Sequence, residues 1–210
     1  MPVASLPRVH QRLSRQSAAA RCIDAAIHRR RARFYLRHLL PHVSTGKRLV
    51  DVGAGDGLLV KMLTDATDAA SVRAFDVESR QLESVPVEVY DGKTLPIDNA
   101  GADISLCVTV LHHCADARRV LSEIRRVTSQ RFLLVEDQFN SLPDRLAVLG
   151  VHHYLRWVES MPFDRHGFAS TAQWCQLLNE AGFAVVETKR LGIAVPWLPV
   201  TNTLFICELG

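Results

Sequence analysis

The chain has 210 residues, 48% of them hydrophobic and 22% charged, with 11 glycines and 9 prolines. That length buries one sizeable core and is short for two enzyme domains, and the composition excludes a disordered tail, a repeat array and a collagen-like chain. The net charge of +3 conceals an asymmetry: residues 1–48 carry eleven basic groups against the single acid Asp24, whereas the remainder carries 14 basic and 21 acidic groups.

No stretch approaches the roughly 18 apolar residues of a membrane span, and the N-terminus lacks the apolar run of a secretory signal. Five cysteines, Cys22, Cys107, Cys114, Cys175 and Cys207, are odd in number and lack CxxC spacing. They point to reduced, unligated thiols and a cytoplasmic location rather than a disulfide framework or a zinc knuckle. No HExxH or carboxylate–histidine spacing marks a metal site.

In chain order, residues 1 to about 18 stand apart from the folded elements. From Cys22 the apolar positions Ile23, Ala26, Ile27, Phe34, Leu36, Leu39, Leu40 and Val43 recur at helical spacing, with Arg29, Arg30, Arg31, Arg33 and Arg37 between them. This predicts one or two amphipathic helices with a basic face, although Arg outnumbers Lys 21 to 4 overall and composition explains part of the cluster. A transit peptide or a phosphate-tracking arm fits the same composition.

After Gly46, Arg48 to Val52 reads as a strand ending at a Gly-rich turn. Leu58, Leu59, Met62 and Leu63 then read as a helix, and Val72 to Val77 as a second strand. Strands are also predicted at Val85–Tyr90, Asp103–Leu111, Phe132–Val135, Ala184–Thr188 and Thr203–Glu208, with helices at Asp116–Val127 and Thr171–Ala181, the latter closed by Gly182. The nearly continuous apolar run from Asp103 suits a strand buried on both faces of a parallel sheet. The alternation implies an α/β three-layer sandwich, Rossmann-like, with a mostly parallel sheet. Residues 1–45 form the N-terminal basic helical segment and 46–210 the α/β domain, with an insertion at about 138–168.

The strongest motif is Asp51-Val52-Gly53-Ala54-Gly55-Asp56-Gly57, between the first strand and its helix. Glycines there let the backbone turn tightly and approach a ligand, and the helix N-terminus offers unpaired N–H groups. A dinucleotide fingerprint needs a third glycine five positions after the first; that position is Leu58, which disfavours a NAD-dependent oxidoreductase. Asp51, just before the loop, suits a ligand bearing an ammonium group. Asp76 stands at the end of the second strand, where a carboxylate accepts from both ribose hydroxyls, with helix capping as the structural alternative. Asp91 precedes Gly92 after the third strand, a pairing that is also common turn chemistry.

Together these residues resemble a class I S-adenosylmethionine-dependent methyltransferase of the small-molecule type, over roughly residues 30–210. The resemblance is carried by Val50–Gly57, by Ala74-Phe75-Asp76-Val77, by Asp91-Gly92 with Leu95-Pro96, by Asp103–His113 ending Val110-Leu111-His112-His113, and by Glu123, Arg126 and Val127. It implies a seven-stranded sheet with an antiparallel last strand and S-adenosylmethionine as cofactor. By the same resemblance Gly53, Ala54 and Gly55 pack on the cofactor, Asp51 holds the loop and the methionine amino group, and Asp76 binds the ribose. Val77 flanks the adenine, Asp91 reaches its amino group beside Gly92, and Cys107 offers backbone to the methionine portion.

Methyl transfer from a sulfonium is an in-line displacement that needs positioning and, for an oxygen or nitrogen acceptor, a base. Candidate bases stand where strands end facing the ligand, His112 and His113 after the fourth and Glu136 and Asp137 after the fifth; a histidine titrates near neutral pH and is the natural proton acceptor, and structural packing of the histidine pair is the alternative. In the insertion, Phe139, His152, His153, Tyr154, Trp157, Phe163 and His166 suit the wall of an acceptor pocket, whereas Leu146, Leu149 and Leu155 suit a small helical core. The expected partner is a small-molecule acceptor rather than nucleic acid, with the basic N-terminal helices as a cover over the site.

Overall fold

The structure is a computed structural model that describes residues 18–78, 85–139, 141–159, 169–195 and 200–210. The expectation for residues 1–17, and the pocket-wall reading of Phe163 and His166, fall outside the described residues, as do the side chains of His152, Tyr154, Leu155 and Trp157.

One helix, α1 (Ala18–Leu39), takes the place of the one or two expected, and a single 3₁₀ turn (Leu40–His42) follows at Pro41. Proline disfavours helical backbone at the residue before it, which is why α1 stops there. Phe34, Tyr35 and Leu39 turn inward and are buried, while Arg29, Arg33 and Arg37 stay on the wet side.

The domain then runs β1 (Arg48–Val52), α2 (Leu58–Ala66), β2 (Ser71–Asp76), β3 (Val87–Val89), β4 (Ala102–Val108), α3 (Ala117–Val127), β5 (Thr128–Asp137), α4 (Leu142–Glu159), α5 (Thr171–Glu180), β6 (Phe183–Ile193) and β7 (Thr201–Leu209). A 3₁₀ turn at Leu111–His113 links β4 to α3. Local chemistry starts two of the helices. The Asp116 carboxylate accepts the Arg119 amide at the head of α3, and Ser170 and Gln173 form a reciprocal capping box on α5.

All seven strands form one sheet in the order β3-β2-β1-β4-β5-β7-β6. β7 runs antiparallel to both β5 and β6, and the other pairings are parallel. This is the expected Rossmann-like α/β sandwich. Successive residues of the central strands feed opposite layers. In β5, Phe132 and Leu134 join Leu121, Ile124, Trp174 and Leu178 on one face, whereas Leu133 and Val135 join Phe34, Leu39 and Leu63 on the other. The strand order reverses between β1 and β4, so their carboxyl ends flank the crevice where open α/β sheets bind ligands.

The insertion forms α4. Its Val148 is buried beside Val200 and Phe139, but Leu142 and Leu146 are exposed, so Leu146 does not take part in a small helical core.

Candidate active site

β1 delivers Asp51 to the crevice and the chain turns back through Gly53–Gly57 into α2. Gly53 has φ +82°, and a Cβ there would sit 2.3 Å from Val110 Cγ2. The loop therefore packs against the β4 turn with no room for a side chain. Gly55, at φ +60°, has nothing within 4 Å of a Cβ position and faces open space.

The loop amides are committed internally. The Phe75 carbonyl accepts from both Gly53 and Ala54, Asp76 Oδ2 accepts from Gly55 at 2.8 Å, Ala54 O accepts from Gly57, and Asp56 Oδ1 accepts from Leu58. The expectation of N–H groups left for a ligand is thus corrected at these five positions. An anion nest needs such amides pointing outward. The loop offers carboxylates instead.

Asp51 is 2% exposed, and its Oδ1 is buried without a hydrogen-bond partner. Burial first, then the charges of Asp76 and Asp56, push its carboxyl up to about 7. A buried acceptor in that state is stabilised by a cation. Asp76 is buried at the end of β2 and spans two loops, accepting from Gly55 and, through Oδ1 at 3.1 Å, from Glu78. Val77 beside it is 57% exposed, and its Cγ1 lies 3.1 Å from where a Gly92 Cβ would stand. Asp91 is exposed and accepts the amides of Lys93 and Thr94, which hold its carboxyl below the usual range. That is the turn chemistry its neighbour Gly92 suggested. Cys107 is fully buried in β4, and burial raises its thiol well above the ordinary value.

Beyond β4, Thr109 holds the left-handed φ of +56°, a rare state for a β-branched residue, with its amide bonded to the Val135 carbonyl. His112 is 1% exposed, and its Nδ1 lies 2.5 Å from Glu136 Oε2. Burial opposes its charged form, but the Glu136 charge and hydrogen bond outweigh that and hold the imidazole above its usual value. Glu136 also accepts the Val110 and Leu111 amides, at 3.1 and 2.6 Å. The His113 ring leans on His112 with centroids 4.0 Å apart.

The structure thus gathers Asp51, Gly53, Ala54, Gly55, Asp76, Val77, Asp91 and Gly92 along β1, β2 and β3, and Cys107, His112 and His113 along β4. Sequence reasoning missed three links. His28 on α1 meets Asp56 at 3.0 Å. Tyr35 donates to Asn202 Oδ1 at 3.2 Å, and the Asn202 amide donates to Asp137. Arg31 reaches Thr109 Oγ1 at 3.4 Å. Each joins residues too far apart in sequence for any local pattern to show them.

Residues 50–134 match the methyltransferase domain family. That match spans 85 of the 210 residues, and the sheet around it has the class I methyltransferase fold. A ubiquinone biosynthesis O-methyltransferase of Cereibacter sphaeroides is 27% identical over 157 residues, covering 70% of this chain and 64% of the relative, so the chain spans less than two thirds of that relative's length. Among solved structures, a putative methyltransferase in complex with the Haloferax volcanii Trm112 methyltransferase activator superposes with TM-score 0.67 at 17% identity, over 90% of this chain and 96% of the other. The magnesium protoporphyrin IX methyltransferase of Synechocystis with bound S-adenosylhomocysteine gives 0.62 at 18%, over 88% and 84%. S-adenosylmethionine is the cofactor of the family. The residues of this chain fit it: an orphaned buried Asp51 oxygen, an acidic loop with inward amides and open space at Gly55 suit a cationic, ammonium-bearing ligand and suit a pyrophosphate poorly.

Proposed function

We propose that the protein transfers a methyl group from S-adenosylmethionine to a small-molecule acceptor by direct in-line displacement. The carrying observation is the Asp51 oxygen, buried without a partner at the mouth of a loop whose amides face inward. In this reading Asp51 receives the amino group of the cofactor's methionine portion and Asp76 the ribose. Gly53, Ala54 and Gly55 give the cofactor backbone contact, Val77 and Gly92 flank the adenine, Asp91 reaches its amino group, and the Cys107 backbone lies beside the methionine portion.

The sulfonium of the bound cofactor supplies an activated methyl carbon. The protein then has to fix the acceptor in line, exclude water and handle a proton. His112 and His113, at the β4 end, are the candidates for the proton. α1 covers this end. Arg30 Nε binds the Ala194 carbonyl and Arg31 the Thr109 hydroxyl, so two arginines of the basic segment turn onto the domain rather than toward a phosphate backbone. That supports a small acceptor over nucleic acid. The relative named as an O-methyltransferase agrees with it. Five cysteines without CxxC spacing support a cytoplasmic location, and no helix among the described residues is long and apolar enough to cross a membrane.

Calorimetric titration with S-adenosylhomocysteine and with NAD tests this reading. Micromolar binding of the first is expected, and binding of NAD alone would refute it.

A further inference from the structure

A groove of about 480 Å³ opens beyond the end of β5, between the first turns of α4 and α5, and is lined by Phe139, Ser141, Leu142, Arg145, Ser170 and Gln173. The two helix starts are distant in sequence, and Gln138 brings them together. Its backbone bridges to Ala169 in the parallel sense, and its Oε1 accepts from the Thr171 hydroxyl. β5 leads straight into the groove, because Asp137 is its last residue and Phe139 stands two further on.

The lining is one-sided chemically. Arg145 is the single charged residue of the six. Its guanidinium carbon lies 5.5 Å from the centre of the Phe139 ring, and among the described residues no carboxylate pairs with it; the neighbouring Asp144 turns to Arg190 on β6, at 3.7 Å. Stacking on a ring fixes the plane of a guanidinium and leaves its edge N–H groups for a planar anion. The serine oxygens already accept helix amides, Ser141 Oγ from Asp144 at 3.2 Å and Ser170 Oγ from Gln173 at 3.3 Å, so each hydroxyl proton is left to donate. Gln173 Oε1 accepts the Ser170 amide at 2.8 Å, which leaves its NH₂ as a donor. The polar groups of the groove are therefore donors, while Phe139 and Leu142, the latter 68% exposed, supply apolar surface. An ionised carboxylate only accepts hydrogen bonds, and on an apolar body it matches both parts of the lining.

We propose that this groove holds the acceptor by a carboxylate. The acceptor is a small organic acid whose carboxylate pairs with Arg145 and whose apolar or aromatic body lies on Phe139 and Leu142, so that Arg145 determines which molecules are chosen. The inference rests on the methyltransferase reading above and names the acceptor class for it. The carboxylate is a handle and not the group methylated. The crevice lies between β1 and β4, and β5 is the next strand in the sheet; at a strand spacing of about 4.8 Å, β5 stands roughly 10 Å from β1, the span of a small aromatic acid. Binding at the far end of the molecule then sets the position of the reacting end.

The test uses the full chain saturated with S-adenosylhomocysteine and two probes of one shape, 3-phenylpropionate and its neutral amide, titrated by calorimetry. The acid should bind about tenfold or more tightly than the amide, and the gap should narrow as salt screens the pair. Arg145→Gln should close the gap with S-adenosylhomocysteine affinity unchanged, and Arg145→Lys should keep only part of it. Leu142→Ser, at an exposed position, should weaken acid and amide alike, which places both in the groove. With S-adenosylmethionine, the 4-hydroxy and 4-amino forms of the same pair are offered as acceptors: KM should be lower for the acids, and Arg145→Gln should raise it far more than it alters kcat. An acid–amide gap that is absent, or that survives in Arg145→Gln, would overturn the proposal. Binding of the acids with transfer to none of these acceptors would also overturn it, by giving the groove to a ligand other than the acceptor. Failure of the wild-type chain to bind S-adenosylhomocysteine would overturn the cofactor reading instead.

Discussion

Asp76 Oδ2 accepts the Gly55 amide at 2.8 Å, across 21 residues of chain, so the end of β2 and the glycine turn after β1 form one unit. Asp76 therefore shapes the loop as well as offering its remaining lone pairs to a ribose. Asp76→Ala is expected to weaken S-adenosylhomocysteine binding by about 2–4 kcal/mol, the worth of one or two hydrogen bonds to a charged group. Calorimetry on the folded variant measures this, and unchanged affinity would remove Asp76 from the site.

Asp51 gives a pH signature. Its carboxyl titrates near 7 in the ligand-free protein, raised from 3.8 chiefly by burial. Binding an ammonium requires the ionised form, so S-adenosylhomocysteine affinity should fall below about pH 7, approaching tenfold per pH unit. The sign for stability is opposite. A raised acid contributes stability that is fully present below its unfolded value and lost as pH rises through the folded one. Asp51→Asn should therefore stabilise the empty protein at pH 8, by a few kcal/mol at most, while weakening the ligand. Melting curves with and without S-adenosylhomocysteine separate the two effects.

Gly53→Ala adds a methyl 2.3 Å from Val110 Cγ2 at a backbone φ of +82°. The overlap costs about 1–3 kcal/mol and the left-handed conformation about 1–2 more. Val110→Ala in the same chain should recover part of the first amount and none of the second. A double-mutant cycle in urea reads the coupling; strict additivity would show that the loop moves away instead.

His28 and Asp56 join α1 to the glycine loop at 3.0 Å, with side chains 43% and 19% exposed. Burial raises the Asp56 carboxyl, but the His28 hydrogen bond and the Leu58 amide lower it more, and the net value lies below the ordinary one. A depressed acid contributes stability present above its unfolded value and lost as pH falls through the folded one. His28→Ala should cost no more than about 1 kcal/mol globally, as half-exposed pairs do, yet it should speed amide exchange in α1. Unchanged exchange there would show that the pair does not hold the helix.

The fold was legible where burial imposes a pattern. β4 and the β1–α2 unit carry continuous or periodic apolar residues, and the glycine turn marks the crevice between them. The sequence pattern marks Ala184–Thr188, whereas β6 extends over Phe183–Ile193, because Glu187, Thr188, Lys189 and Arg190 lie exposed on an edge strand whose extent is set by pairing with β7. β5 begins at Thr128, where Ser129 and Gln130 give no apolar signal and the register with β4 decides. At the site, Asp51 and Asp76 could be read because each stands at the carboxyl end of its strand. The partners of His112 could not. Glu136 is 24 residues away and Asn202 meets Tyr35 across 167, and only the sheet order brings them together.

α1 is fastened at three points that belong to three different loops: His28 to the glycine turn, Arg31 to the end of β4, and Arg30 to the carbonyl of Ala194 after β6. A rigid helix pinned in this way cannot rise from one loop while keeping the others. In the proposed enzyme a displacement of α1 therefore disturbs the cofactor loop, the end of β4 and the segment after β6 together.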